Sequence, residues 1–269
     1  MKRHWRKLHG LGQGHVIARG LSSLLILVLC AAPQSGASRE TTLAGLLRAY
    51  PEQLDRIEGN TLVWKDGTRM PLDDGKGEKA FETWLADPDI EDMLAIPYPA
   101  GDLAAAPKPN SDPGRARNAA FFNRMYGDCR RGEVQRNLVT IRWLPKKANQ
   151  SLRVTRINGV AERLVAVSRE LDELPPRFDR YLLPAAGGYN CRRIAGADRI
   201  SAHGHGIAID IALRHAHYWR SSGPEANHRN ALPFEVVRTL EKHGFIWGGK
   251  WYHYDTMHFE YRPELLPER

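Results

Sequence analysis

The chain has 269 residues, with 39 basic and 31 acidic side chains, and its formal net charge is +8. Its length fits one large domain or two small ones, and a mean hydropathy of −0.49 excludes a protein that spans a membrane many times. The basic composition is typical of nucleic-acid-binding proteins, so the position of the charge along the chain has to be considered first.

Residues 1–37 have the pattern of a secretory signal peptide. They contain five basic residues and no acidic one, with an apolar run over residues 21–32 and small residues after it. This run is too short to span a bilayer, which needs about 20 helical residues. We therefore predict cleavage near Ala37, with an uncleaved anchor as the alternative.

Cleavage there changes both the charge and the number of cysteines. Removing five of the 39 basic residues leaves 34 against 31 acidic ones, a net charge of +3. The nucleic-acid hypothesis thereby loses most of its support. Cleavage also removes Cys30 and leaves Cys129 and Cys191, an even pair in an oxidising compartment. We predict one disulfide between them, with two buried free thiols as the alternative.

Residues 38–98 predict an N-terminal extension made of a helix and a hairpin. A series of leucines over residues 43–54 favours a helix, which Pro51 interrupts. Residues 60–71 contain two short strand patterns around an Asp-Gly turn. Residues 99–115 are rich in Ala, Pro, Gly and Asp, which predicts a linker or an extended segment over the surface.

Residues 116–269 form the third predicted region, with more regular patterns of apolar residues. The elements predicted here are a strand over residues 139–144 and three helices, over 118–126, over 158–174 with Asn158 as N-cap, and over 231–243 with Gly244 after its end.

The histidines are concentrated near the end of the chain. Eight of the 11 lie between His203 and His258, and residues 38–202 contain none. Histidines grouped with acidic residues suggest a metal site.

Two strand patterns in this region place polar residues opposite apolar ones. In residues 207–212, alternation directs three isoleucines toward the core and Asp210 to the other face, between two alanines. In residues 257–261, His258 and Glu260 lie opposite the three apolar side chains of the segment. Each strand thus offers a candidate ligand, and Glu260 is placed to orient one.

A catalytic zinc site needs three protein ligands and one open position. His203, Asp210 and His258 supply three. A metal ion lowers the pKa of a bound water, and a carboxylate must then take the proton. Asp255, three residues before His258, is our candidate for this role.

The two segments resemble the zinc D-alanyl-D-alanine carboxypeptidase family, which includes the L-alanyl-D-glutamate peptidases of phage endolysins. The family motif is Ser-x-His-x-x-Gly-x-Ala-x-Asp, followed by an acid three residues before a His. The matching positions are Ser201, His203, Gly206, Ala208, Asp210, Asp255 and His258. The resemblance covers residues 185–262, and residues 244–251 resemble the endopeptidase branch.

The resemblance implies an α+β fold of the hedgehog and DD-peptidase type, with a small central antiparallel sheet and flanking helices. It assigns residues 116–269 to a zinc peptidase domain that holds one Zn²⁺ on His203, Asp210 and His258. In this family the acid before the last His acts as general base and then as general acid, a role that falls on Asp255.

The family also places a basic residue near a Gly-Tyr-Arg sequence, where this chain departs with Gly-Tyr-Asn-Cys-Arg-Arg over residues 188–193. We expect Arg192, or else Arg193, to hold a substrate carboxylate or to polarise the scissile carbonyl. The remaining candidates for substrate contacts are Ser201, His205, Trp247 and Trp251. The two tryptophans fit a core equally well.

The function implied is that of a periplasmic or secreted zinc peptidase acting on peptidoglycan stem peptides, as a carboxypeptidase or an endopeptidase. We expect peptidoglycan peptides as its partners, no nucleic acid, no stable membrane insertion after cleavage, and a monomer. The alternative is a non-catalytic, zinc-containing module that binds the cell wall, similar to bacterial extensin-like proteins.

Overall fold

The computed structural model describes residues 35–194, 199–221 and 227–267. Of the predicted leader, residues 1–34 lie outside the described residues. The fold is α+β, as the sequence predicts, with short helices around small antiparallel sheets. Within the described ranges, no helix is both long and apolar enough to cross a membrane.

The N-terminal extension contains two helices and a three-stranded sheet. Its elements are α1 (Ser35–Ala49), β1 (Leu54–Glu58), β2 (Thr61–Trp64), β3 (Arg69–Pro71) and α2 (Phe81–Ala86). The predicted hairpin is present as β2 and β3. Leu54, which we expected in the helix, instead begins β1, because the chain turns after Tyr50.

The remaining elements frame the region that carries the two motifs. They are α3 (Ala119–Tyr126), β4 (Leu138–Trp143), β5 (Gln150–Thr155), α4 (Val160–Asp172), α5 (Asp179–Leu182), β6 (Ala208–Asp210), α6 (Phe234–Lys242), β7 (Phe245–Trp247) and β8 (His258–Tyr261). β4 and β5 form a hairpin, and β8 lies between β6 and β7 in an antiparallel sheet.

The three predicted helices of this region are present with slightly different ends. Asn118 caps α3, and Pro233 precedes the first residue of α6. Gly244 follows α6 with a φ of 92°, a conformation that favours glycine. For α4 the expected cap was wrong: Gly159 occupies that position, and the Asn158 side chain instead donates to a tyrosine hydroxyl 3.2 Å away.

One hydrophobic core joins the extension to the rest of the molecule. It includes Leu46 of α1, Leu62 of β2, Phe121 of α3, Ile209 of β6 and Phe259 of β8. The isoleucines of residues 207–212 all point into this core, as their alternation predicts. The extension therefore shares one core with the strands that carry the motifs. The domain boundaries drawn from the sequence stay a prediction.

Residues 99–115 lie along the segment that leads into β8. Lys250 donates to the Pro99 carbonyl at 2.7 Å, and the indole of Trp251 donates to the Pro113 carbonyl at the same distance. The assignment of this segment as a linker or an extended segment stays a prediction.

The predicted disulfide between Cys129 and Cys191 is present, with Cα atoms 5.7 Å apart. It ties the turn after α3 to the loop that carries Arg192. This loop leads into the first motif.

Candidate metal centre and active site

Three side chains of the two motifs converge where β6 and β8 pair. His203 lies in a 3-10 turn just before β6, Asp210 ends β6, and His258 begins β8. Asp210 and His258 are direct partners in the antiparallel register, which brings their side chains together on one face. One ligand atom from each of the three residues lies within 4.8 Å of the others.

Two glycines allow β5 to pack closely against the backbone that holds His203. Gly206 has a φ of +70°, and a Cβ at this position would lie 2.9 Å from the Thr155 nitrogen. A Cβ at Gly188 would lie 2.4 Å from the Arg153 carbonyl oxygen. Neither position has room for a side chain, so the turn and the preceding loop both depend on glycine.

Each imidazole is held by an acceptor on its outer nitrogen and directs its other nitrogen toward Asp210. His203 Nδ1 donates to the Gly188 carbonyl at 2.7 Å, and its Nε2 lies 3.0 Å from Asp210 Oδ1. His258 Nε2 lies 3.1 Å from Glu260, and its Nδ1 lies 3.0 Å from Asp210 Oδ1. Two imidazole nitrogens and a carboxylate oxygen, with both rings fixed from behind, fit the donor set of a catalytic zinc site.

The charges of the cluster favour a cation. Burial raises the pKa of Asp210, but hydrogen bonds from His203 and His258 outweigh this and hold it well below its usual range. Burial lowers the pKa of His258, but hydrogen bonds to Asp210 and Glu260 outweigh this and raise it to about 10. Asp210 is therefore anionic, and a metal ion would take the place of a proton on His258.

A cavity of 290 Å³ opens beside the cluster. Its lining combines acids and histidines with arginines and aromatic rings. These residues are Arg115, Arg117, Arg192, Ile194, Ser201, Asp210, Tyr218, Trp219, Trp251, His253, Asp255, Met257 and His258. Guanidinium and aromatic groups therefore surround the candidate ligands.

Asp255 lies in the lining of the same cavity. Its pKa is raised, chiefly by burial, and the charge of Asp210 adds to the effect while His258 opposes it. Its buried Oδ1 atom has no hydrogen-bond partner among the described residues. A carboxyl group with a raised pKa and a free oxygen is suited to proton transfer.

Of the arginines that line the cavity, Arg192 is the one available for a ligand. Arg115 and Arg117 are each paired with a buried carboxylate. Among the described residues, no carboxylate lies within 4.0 Å of the Arg192 guanidinium. Arg193 pairs its backbone with Ile200 and lies outside the cavity lining.

His205, which we expected to contact the substrate, lies away from the cavity, and Trp247 takes the core position that we considered beside a substrate contact. The turn that carries His203 is 3-10 helical rather than extended, so His205 does not share its face. His205 is buried against the ring of Phe122 with its Nδ1 3.2 Å from the Gly127 carbonyl, and burial lowers its pKa to about 4. Trp247 is fully buried in the core.

Other candidates lie in the cavity lining. Ser201 and Trp251 contribute to it. Met257, which the alternation assigned to the core side, also lines the cavity, because the regular strand begins only at His258.

Residues 112–117 contribute to the site, and no pattern in the sequence marks them as functional. Asp112 is fully buried and lies 2.7 Å from His253 Nδ1, and Arg117 donates to both oxygens of Glu260 at 3.1 Å. The ring of Trp219 packs edge-on against His253. The Asp-Pro-Gly turn at residue 112 is the one local signal, and it indicates a turn rather than a site.

A second group of acids with similar spacing lies in the N-terminal extension, and it consists of Asp73, Asp74 and Asp89. Lys79 Nζ lies 2.9 Å from Asp74 and 3.3 Å from Asp89, and it also pairs with Asp92. Its side chain is only 3% exposed. Two of the three acids, Asp74 and Asp89, are therefore already paired with a lysine of the same chain.

Comparison with known proteins adds one finding. No curated protein and no solved structure matches the chain. A family model does match, over a segment that contains His203, Asp210, Asp255 and His258. The resemblance drawn from the two motifs is thus confirmed: residues 195–261 match the D-alanyl-D-alanine carboxypeptidase family.

Proposed function

We propose that the protein is an exported zinc peptidase that hydrolyses amide bonds in peptidoglycan stem peptides. The observation that carries this proposal is the convergence of His203, Asp210 and His258 beside a cavity that Asp255 also lines. The family match over residues 195–261 supports peptidase activity.

The metal would be held by His203 Nε2, Asp210 Oδ1 and His258 Nδ1. When bound, zinc supplies Lewis acidity that polarises the scissile carbonyl and lowers the pKa of a water molecule. The Gly188 carbonyl and Glu260 keep the two imidazoles turned toward the site by accepting their outer N–H groups.

Asp255 would move the protons. Its free Oδ1 accepts the proton of the attacking water and later returns it to the nitrogen of the leaving amine. Burial supports both steps, because it raises the pKa of Asp255 toward neutral pH. A carboxyl group with such a pKa can both accept and donate a proton.

Arg192 would bind the substrate. Its guanidinium lies at the cavity without a described carboxylate partner and can donate to a peptide carboxylate or to the carbonyl oxygen that gains charge. Contact with a terminal carboxylate favours a carboxypeptidase, and contact with the scissile carbonyl fits either cleavage.

Export is supported by the disulfide, because such bonds persist in oxidising compartments. It is also supported by the pattern of residues 1–37, which predicts a signal peptide.

The test is digestion of purified peptidoglycan, with the products identified by mass spectrometry. We expect release of D-Ala or cleavage within the stem peptide, loss of this activity with a chelator, and recovery with Zn²⁺. Protein produced with zinc present that contains none would overturn the proposal. Binding of muropeptides by zinc-loaded protein without turnover would instead favour the cell-wall-binding module.

A further inference from the structure

A series of buried polar contacts connects His258 to the N-terminal extension. Glu260 lies 3.1 Å from His258 Nε2 and 3.2 Å from Arg262 Nη1. Arg262 Nε donates to one oxygen of Glu264, and the hydroxyl of Tyr50, just after α1, donates to the other oxygen at 2.6 Å. Tyr50 and Glu264 are 214 residues apart in the sequence.

All members of this network are buried. Tyr50, Glu260 and Arg262 are 0% exposed, and Glu264 is 6% exposed. A buried charge is costly unless it is paired, so each group depends on its neighbours. Arg262 is divided between two carboxylates, and Glu264 is divided between Arg262 and the Tyr50 hydroxyl.

We propose that Tyr50, Glu264 and Arg262 are positioning residues for His258, and that the N-terminal extension thereby completes the metal site. This inference rests on the proposed function, in which His258 is a metal ligand. Glu260 fixes the orientation of the His258 ring, and Arg262 holds Glu260 in place together with Arg117. Without the Tyr50 hydroxyl, the freed oxygen of Glu264 draws Arg262 away from Glu260, and the ring is held less firmly.

A second network of the same kind provides a matched control. The hydroxyl of Tyr98 donates to Glu241 at 2.6 Å, and Glu241 pairs with the buried Lys250. Tyr98 and Tyr50 thus make the same type of buried contact. The Tyr98 hydroxyl also accepts from the Trp247 N–H, and Lys250 also donates to the carbonyls of Pro99 and Gly101. None of these described partners is one of the three candidate ligands.

The test compares the full chain with the variants Tyr50→Phe and Tyr98→Phe. Zinc affinity is measured by competition with a chromophoric chelator, and ligand geometry by the absorption spectrum of the Co²⁺-substituted protein. Mutation of a residue that hydrogen-bonds to a metal-bound histidine typically weakens metal affinity by about 10- to 100-fold. Because Tyr50 acts on His258 through other side chains, we expect Tyr50→Phe to bind zinc about three- to tenfold more weakly. Tyr98→Phe should stay within about twofold of the wild type with an unchanged spectrum, although both variants lose thermal stability to a similar extent.

The inference is overturned if Tyr50→Phe keeps wild-type zinc affinity, or if Tyr98→Phe weakens binding by the same factor. If Tyr50→Phe does not fold, the pair Glu264→Gln and Glu241→Gln carries the same comparison, and only the first should weaken binding. A wild-type protein that binds no zinc overturns the proposed function itself. The further inference alone is overturned when the wild-type protein binds zinc and Tyr50→Phe binds it with the same affinity.

Discussion

Among the described residues, two clusters bring acid or histidine ligand atoms within 4.8 Å of one another. In the first, His203, Asp210 and His258 face a cavity, and the outer ring nitrogens are held from behind. In the second, in the N-terminal extension, Asp74 and Asp89 surround the ammonium group of Lys79.

The difference lies in what balances the negative charge. Asp210 is balanced by histidines, which can lose a proton, so a metal ion competes with protons there. Burial lowers the pKa of Lys79, but its acidic partners outweigh this and raise it well above its usual range, so a metal ion would compete with a fixed cation of the chain. Closeness of acids alone is therefore a poor sign of a metal site.

The strongest test of this comparison removes a ligand from each cluster. His258→Ala should lose zinc and all peptidase activity, because two remaining ligands do not form a catalytic site. Asp89→Asn should keep wild-type zinc content and activity. Metal content after dialysis and hydrolysis of a muropeptide measure both. A full equivalent of zinc in His258→Ala, or a loss of zinc in Asp89→Asn, would contradict the distinction.

The next largest effect separates metal binding from catalysis within the first cluster. Asp255→Asn should keep zinc and lose about 10²- to 10⁴-fold in kcat, since the amide cannot accept the proton. Zinc content measured on the same preparation is the control. A kcat within tenfold of the wild type would show that another group transfers the proton.

The sequence predicted the parts of the site that depend on local periodicity. The alternation around Asp210 and around His258 indicates which side chains share a face, because the side chains of a strand alternate regardless of its partner. The direct pairing of these two residues is a matter of register between segments 48 residues apart. Neither segment determines that register by itself.

Contacts between distant segments could not be predicted from one sequence. Arg117 reaches Glu260 across 143 residues, and no spacing rule connects them. His205 shows a limit of the local rules as well, since the extended and the 3-10 conformation both suit a segment with two glycines, and the close packing of β5 against Gly206 is not visible in that segment.

A smaller effect is expected from the arginines beside the cavity. Arg192→Ala should lower kcat/KM by about 10- to 100-fold with zinc content unchanged, because a charge-assisted contact to the substrate is lost. Arg193→Ala, its neighbour outside the cavity lining, should stay close to the wild type. A rise in KM would indicate a contact with a substrate carboxylate, and a fall in kcat would indicate the scissile carbonyl. Equal losses in both variants would mean that the site does not distinguish the two arginines.

The smallest effect on catalysis concerns the second cluster. Lys79→Met removes the cation shared by Asp74, Asp89 and Asp92, so the thermal midpoint should fall by about 5 °C while zinc content and kcat/KM stay unchanged. Millimolar Ca²⁺ should restore part of the midpoint in this variant and not in the wild type, because only the variant leaves the acids without their ammonium partner. Lys65→Met, at an exposed position, is the control and should respond to neither change. If Ca²⁺ stabilises the wild type as much as Lys79→Met, Lys79 does not close this cluster, and the contrast with the zinc cluster fails.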